Sequence, residues 1–408
     1  MNLRSEGEDP ALSAFSGGVL AVHAHPDDET LSTGGLLAAF AAAGRPVHVV
    51  TCTRGERGEV IALPGTTSEG RAGLEGNGPA LGAYRETELA RALTALAGGA
   101  DGAIRHSFLD ALPAVSAQVN RVVDPVPGAP AGSGSAAVPG PVSEPADGVR
   151  YEDSGMTWVA PGVAGPAPDS PPTAFARVPL DESAGRLAAL IRECRPAVVA
   201  TYEPGGGYGH PDHVRAHEVT VRALRLAADP AWEPGSGVVG RGGEAVCGGE
   251  PGSGVGRRGE PWAGAELWQA VAPAAEVRAA RATLAALPEA LALAATHALT
   301  LPDPAEDLPP FAKEDLPGWS AERQVVGSSD YRSPDGLPIT RISGGARVDL
   351  SRVLGRVVGA MRAHATQVQH ADVLPEAVGV VAGWYALSNG VLAPILTTET
   401  YAVVDPLR

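Results

Sequence analysis

Short apolar runs alternate along the chain with longer stretches of helical spacing. GVLAVHA (Gly18 to Ala24) and PVHVVTC (Pro46 to Cys52) are apolar, β-branched and brief, as interior strands are. Between them, about Glu29 to Ala43 reads as a helix closed by Gly44. This strand–helix–strand unit predicts a right-handed crossover. The pattern recurs. Tyr84 to Ala97 is helical by its leucine spacing, and Ile104 to Leu109 is a third strand. Leu180 to Arg192 is helical, AVVATY (Ala197 to Tyr202) is a strand, and a helix runs from HPDH to about Ala228. Further on, Glu266 to Ala272 reads as a strand, Ala274 to Thr296 and Val348 to Gln367 as helical, and strand-like segments surround Ile395 and Tyr401. The alternation predicts an α/β fold with a Rossmann-like, mostly parallel sheet flanked by helices. Ligands in such sheets bind beyond the carboxyl ends of strands, at a switch point, which directs attention to the loops after Ala24 and Tyr202.

Two Pro/Gly/Ala/Ser-rich stretches, 112–148 and 229–264, lack this patterning and read as flexible insertions in one domain spanning 1–408. Gly254, Gly256 and Gly259 have GxGxxG spacing without a preceding strand or following helix, which makes the match accidental. Glycine and proline supply 52 and 37 of the 408 residues without a three-residue period, so a collagen-like chain is excluded. Lys313 is the single lysine, which nearly removes Schiff-base and P-loop chemistry. A net charge of -16 argues against nucleic acid or an anionic membrane as partner. The three distant cysteines form no CxxC, which suits a reducing cytosol and excludes a disulfide framework. The polar N-terminus lacks an apolar signal region, and no run is long enough to span a bilayer, so a cytoplasmic protein is expected.

Five of the ten histidines lie in two segments, each directly after a predicted strand: AVHAHPDDE (His23, His25) and GYGHPDHVRAH (His210, His213, His217). Pro26 starts a turn after His25, so the side chains that follow can point back toward the strand end. Imidazole and carboxylate are ordinary zinc ligands. Adjacent Asp27 and Asp28 point differently, so one can bind metal while the other stays free as a base; both can also cap the helix. His210 and His213 flank Pro211, and both can converge on an ion, or one can face substrate. His217, a turn further, reads as solvated or as support. Gly205 to Gly209 give the backbone room to approach a ligand. Two imidazoles and a carboxylate leave one position open, the form of a catalytic zinc site. Such an ion lowers the pKa of water toward about 7, and a free carboxylate with a nearby imidazole completes a set of parts for amide hydrolysis. GxSxG and a strand-placed Cys/His pair are both absent.

HPDDE after a strand, with HPDH after GGYG, resembles the PIG-L/LmbE-like zinc deacetylases of N-acetylglucosaminyl substrates. TCTRGERGEVI, GAYRETEL, DSGM, AHATQV and ALSNGVLAPILTTETY extend the resemblance over most of the chain, toward the branch serving mycothiol biosynthesis. The resemblance implies hydrolysis of the N-acetyl group of N-acetylglucosaminyl-inositol, a small pseudodisaccharide. It assigns zinc, one per subunit, to His25, Asp28 and His213; the same ligands accept Fe²⁺. It makes Asp27 the general base, His210 the imidazole that stabilises the intermediate and protonates the amine, Asp212 its orienting partner, and Tyr208 the donor to the oxyanion. Ser32, Glu59, Arg85, Asp153 and Met156 match substrate contacts. By themselves Arg85 reads as a surface partner of Glu88, Glu59 as solvated, Asp153 as a turn residue and Met156 as core. A mycothiol S-conjugate amidase shares the zinc motifs. A sugar-binding protein without turnover needs neither Asp27 nor His210.

Overall fold

The computed structural model describes residues 15–114, 150–160, 163–234, 259–316 and 336–408. In chain order these form β1 (Val19–His23), α1 (Asp28–Ala42), β2 (Val47–Thr51), α2 (Gly78–Leu96), β3 (Ile104–Phe108), β4 (Met156–Ala160) and β5 (Val163–Pro166). Next come α3 (Leu180–Cys194), β6 (Val198–Tyr202), the single turn α4 (Gly206–Gly209), α5 (Pro211–Ala228) and β7 (Glu266–Pro273). Then follow α6 (Ala274–Ala286), α7 (Pro288–His297), β8 (Ala312–Lys313), β9 (Ile339–Ile342), β10 (Gly345–Asp349) and α8 (Leu354–Ala363). The last elements are β11 (Gln369–Val378), β12 (Val381–Ala386), β13 (Leu392–Leu396) and β14 (Thr398–Val404).

The main sheet runs β3-β2-β1-β6-β7-β14-β10-β9, with β8 beside β7. The first five strands are mutually parallel; β14, β10 and β9 join antiparallel. The central strands are apolar throughout because each face meets its own helical layer. On β1, Val19 and Ala21 face a core with Leu36, Leu37 and Phe40 of α1, Leu93 of α2 and Val357 of α8. Leu20 and Val22 face the opposite core, with Leu187 and Ile191 of α3 and Val219 and Ala223 of α5. A third, smaller core joins α6 and α7 to the antiparallel sheet β11-β12-β13. The chain turns from α1 to β2 on one side of β1 and places β6 on the other. That reversal is the switch point, and both histidine segments lie at it.

The expected α/β architecture is present, with differences of local origin. Gly78 and Pro79 start α2 six residues before Tyr84; Pro is tolerated in a first helical turn, whatever its turn-like look in sequence. Pro288 divides the expected 274–296 helix in two. The expected helix over 348–367 is replaced: Val348 lies in β10 and only Leu354–Ala363 is helical. The segment's apolar residues serve a strand and a helix that pack on the same core. Most of the two expected insertions lies outside the described residues. The described ends of the second are anchored, with Trp262 Nε1–H donating to the Pro196 carbonyl at 3.0 Å and Arg192 to that of Gly259 at 3.0 Å. Cys52 is a buried free thiol. Among the described residues, no helix is long and apolar enough to cross a membrane.

Gly18 opens β1 with φ at 76°, and a Cβ there would run into the Pro46 carbonyl, which accepts from Val19 N–H at 3.0 Å. Gly18→Ala is therefore expected to destabilise the fold by about 1–3 kcal/mol, read as an earlier urea midpoint; an unchanged midpoint would show that the strand start is free to shift.

Candidate metal and catalytic site

His25 leaves the end of β1 and His213 sits in the first turn of α5, after β6. Between them stands Asp28, the first residue of α1. His25 Nδ1 and Asp28 Oδ2 are 3.2 Å apart, His213 Nε2 and Asp28 Oδ2 3.3 Å, and His213 Nε2 and His25 Nδ1 3.3 Å. Ligands at about 2.0–2.1 Å around a tetrahedral ion are separated by about 3.3–3.4 Å along each edge. The triangle therefore has the dimensions of one face of a tetrahedral site.

Each of the three is held from behind. His213 Nδ1–H donates to the Gly206 carbonyl at 3.1 Å, which turns the Nε2 lone pair into the triangle. Asp212 Oδ2 lies 3.3 Å from His25 Nε2, which leaves His25 Nδ1 to face inward. Asp28 Oδ2 accepts from the His25 main-chain N–H at 2.9 Å. The cluster calls for a cation. Burial alone would lower the proton affinity of His25, yet Asp153, Asp212 and Asp28 raise it well above the ordinary value. Burial likewise opposes ionisation of Asp28, but His213 and His25 hold it well below the usual carboxylate range.

Asp27 makes a contact of its own beside that triangle. Its Oδ1 accepts from Arg85 Nη2 at 3.2 Å, and the same guanidinium donates to the carbonyls of Gly55 at 2.8 Å and Pro26 at 2.5 Å. Burial raises the Asp27 carboxyl to about 6, with Arg85 opposing and Asp28 adding to the rise. Arg85 is thus a buried companion of Asp27 and not a surface partner of Glu88, which instead accepts from Thr366 N–H and Oγ1–H at 2.9 and 2.6 Å.

His210 caps α5 by accepting the Asp212 main-chain N–H on Nδ1 at 3.1 Å, so its Nε2 carries the proton. Burial and the neighbouring His25 and His213 keep this imidazole neutral, well below its ordinary pKa. The Asp212 contact with His210 is thus made by the main chain. The Asp212 carboxylate accepts from Ser154 N–H at 2.8 Å, is bonded by Ser154 Oγ, and faces His25. The ring of Tyr208 stands edge-on to His213 and His210, with centroids 5.0 and 6.1 Å away. Burial, with Asp28, Asp27 and Asp153 nearby, pushes its phenol well above the ordinary value, so it remains a hydrogen donor.

The other expected contacts are spread around this centre. Asp153 Oδ1 lies 3.7 Å from His25 Nε2, with the half-buried Met156 three residues on at the start of β4. Ser32 is half-buried on α1, one turn after Asp28. Glu59 is exposed, and its main-chain carbonyl accepts from Gln367 at 3.0 Å. His217 donates from Nδ1 to the Tyr202 carbonyl at 2.9 Å, a supporting place behind the site. Sequence reasoning passed over Ser154, Glu29 and His364. Glu29 stood inside HPDDE and His364 inside AHATQV, but nothing local shows that they meet.

Sequence comparison gives the family to which this fold belongs. The family profile described as GlcNAc-PI de-N-acetylase, PIG-L, matches residues 20–224, and the chain belongs to that family. It is similar to a protein of Kineococcus radiotolerans named 1D-myo-inositol 2-acetamido-2-deoxy-alpha-D-glucopyranoside deacetylase, at 37% identity over 95% of this chain and 77% of that one. A protein of the same name from Streptomyces avermitilis is 34% identical over 95% of this chain and 91% of its own length. Among solved structures, a deacetylase–teicoplanin complex is similar at 16% identity and a TM-score of 0.38, over 95% of this chain and 97% of that one.

A Cβ on Gly206, whose φ is 63°, would lie 2.7 Å from Val214 N and 2.9 Å from His213 Cβ. Gly206→Ala is therefore expected to displace His213 and weaken metal binding by about 10–100-fold, the usual cost of disturbing a support behind a ligand. Competition with a chelator measures it; unchanged affinity would mean that Gly206 does not set the position of His213.

Proposed function

We propose that the chain is a metal-dependent N-deacetylase that hydrolyses N-acetylglucosaminyl-inositol to glucosaminyl-inositol and acetate, the step that mycothiol biosynthesis requires. The observation that carries this reading is the 3.2–3.3 Å triangle of His25, Asp28 and His213 with a separate carboxyl, Asp27, raised to about 6 beside it. The substrate comes from the names of relatives that share a third of their residues over nearly the whole chain.

His25, Asp28 and His213 would hold one divalent ion, with zinc favoured by two imidazoles and a carboxylate; when bound, such an ion polarises the acetamide carbonyl and lowers the pKa of water toward about 7. Asp27, set near neutrality, takes the proton of the attacking water. Arg85 keeps that carboxylate compatible with the charge on Asp28. As the carbonyl becomes tetrahedral, charge collects on its oxygen, and the protonated Tyr208 donates to it. His210, with its proton on Nε2, donates a hydrogen bond to the same intermediate and helps the amine depart, which leaves with the proton that Asp27 took from the water. Asp212 fixes both imidazoles, His25 through its carboxylate and His210 through its main chain. Ser32, Glu59, Asp153 and Met156 form the rim that meets the sugar and inositol hydroxyls. The whole chain works as one domain, with 112–148 and 229–264 as passive insertions.

Purified protein is expected to carry one zinc per chain by elemental analysis and to release acetate from N-acetylglucosaminyl-inositol faster than it cleaves a mycothiol S-conjugate. Preference for the conjugate would make the chain an amidase, and sugar binding without acetate release would make it a binding protein. Asp27→Ala is expected to keep the metal and lose about 10²–10⁴-fold in kcat; full activity would remove Asp27 as the base.

A further inference from the structure

Asp27 holds a backbone conformation that aspartate rarely adopts, with φ at 116° and ψ at -32°. Such a conformation costs of order 1–3 kcal/mol and persists only where its surroundings impose it. The Asp27 carbonyl starts α1, accepting from Thr30 and Leu31 N–H at 3.0 and 2.9 Å, yet its carboxylate makes no capping bond. An aspartate at this position ordinarily spends its side chain on a nearby helix N–H. Here only the reciprocal half of a capping arrangement is present: Glu29 Oε2 accepts from Asp27 N–H at 3.0 Å.

Glu29 is fully buried and is itself held. Thr30 Oγ1–H donates to its Oε1 at 2.6 Å, and His364 Nε2–H donates to the same oxygen at 2.8 Å. His364 lies 335 residues away in the chain, at the end of α8, and is equally buried. A buried carboxylate and imidazole are costly unless paired, so each keeps the other in place. Without the pair, Asp27 N–H loses its acceptor, and the residue can relax to an ordinary cap with its carboxylate on α1.

We infer that Glu29 and His364 are positioning residues that impose the unusual backbone of Asp27 and so keep its carboxylate free to act as a base. This rests on the reading of Asp27 given above. The pair makes no claim on the ion: Glu29 holds the Asp27 main-chain N–H, and the nearby His364 also lowers the proton affinity of the Asp27 carboxyl.

The test is a double-mutant cycle on the metal-loaded protein. His364→Ala and Glu29→Ala are each expected to lower kcat about 100-fold, as a misplacement of about 1 Å does, with KM and metal content unchanged. On the Asp27→Ala background neither should cost more than about threefold further, because the base they place is gone. His364→Gln, which keeps a donor at the Nε2 position, should recover most of the loss. A crystal structure of either alanine variant should show Asp27 at negative φ. Additive losses, or an unchanged φ at Asp27, would overturn the inference. If His364→Ala does not fold, Glu29→Ala completes the cycle. Wild-type protein that binds metal but releases no acetate would count against the deacetylase reading; an active wild type with an inactive Asp27→Ala and a fully active Glu29→Ala would count against the positioning pair alone.

Discussion

The parallel pairing of β1 with β6 is the interaction on which the rest of the molecule depends. Val19, Leu20 and Ala21 lie in register with Val198, Val199 and Ala200, so both strands end at the same level of the sheet. Chain segments 188 residues apart thereby deliver His25 and His213 to within 3.3 Å of each other. Neither loop can make this site alone. The two apolar cores that sandwich these strands hold both ends still, and the polar cluster above them is affordable only because its geometry is so closely fixed.

Two adjacent aspartates are driven in opposite directions by surroundings a few ångströms apart. Asp28 enters the helix, meets two imidazoles and stays ionised. Asp27 stays outside the helix, and burial, opposed by one guanidinium, raises its carboxyl to about 6. The difference begins in the backbone, where one residue is helical and its neighbour has a positive φ. A carboxylate that binds and one that exchanges protons thus arise from one dipeptide, by direction and not by residue type.

The parallel half of the fold was legible because its strands are short apolar runs separated by helices of clear period. The C-terminal antiparallel half was not. Val348 and Val357 are both core residues, one on a strand and one on a helix, and hydrophobicity alone merges them into one segment. The histidines and aspartates of the site were visible from their clustering after two strands. The selection of His213 and Asp28 over His210 and Asp27 came from family resemblance, since spacing serves either choice. What spacing could not supply was direction: that Arg85 turns inward to Asp27, that Asp212 serves His25 with its carboxylate, and that Glu29 meets a histidine from the far end of the chain. Those facts belong to tertiary contacts with no local signature.

The place of β14 bears on how the molecule is made. It follows every other described strand in the chain, yet it lies inside the sheet between β7 and β10. During synthesis β7 therefore waits with an open edge, a ready template for unwanted strand pairing, until Thr398–Val404 have been translated. The same late arrival brings Glu399, whose carboxylate accepts from Gly35 and Leu36 N–H of α1 at 2.6 and 2.9 Å. A chain ending shortly before this point would carry every residue of the site but lack the strand that joins β7 to β10 and β9.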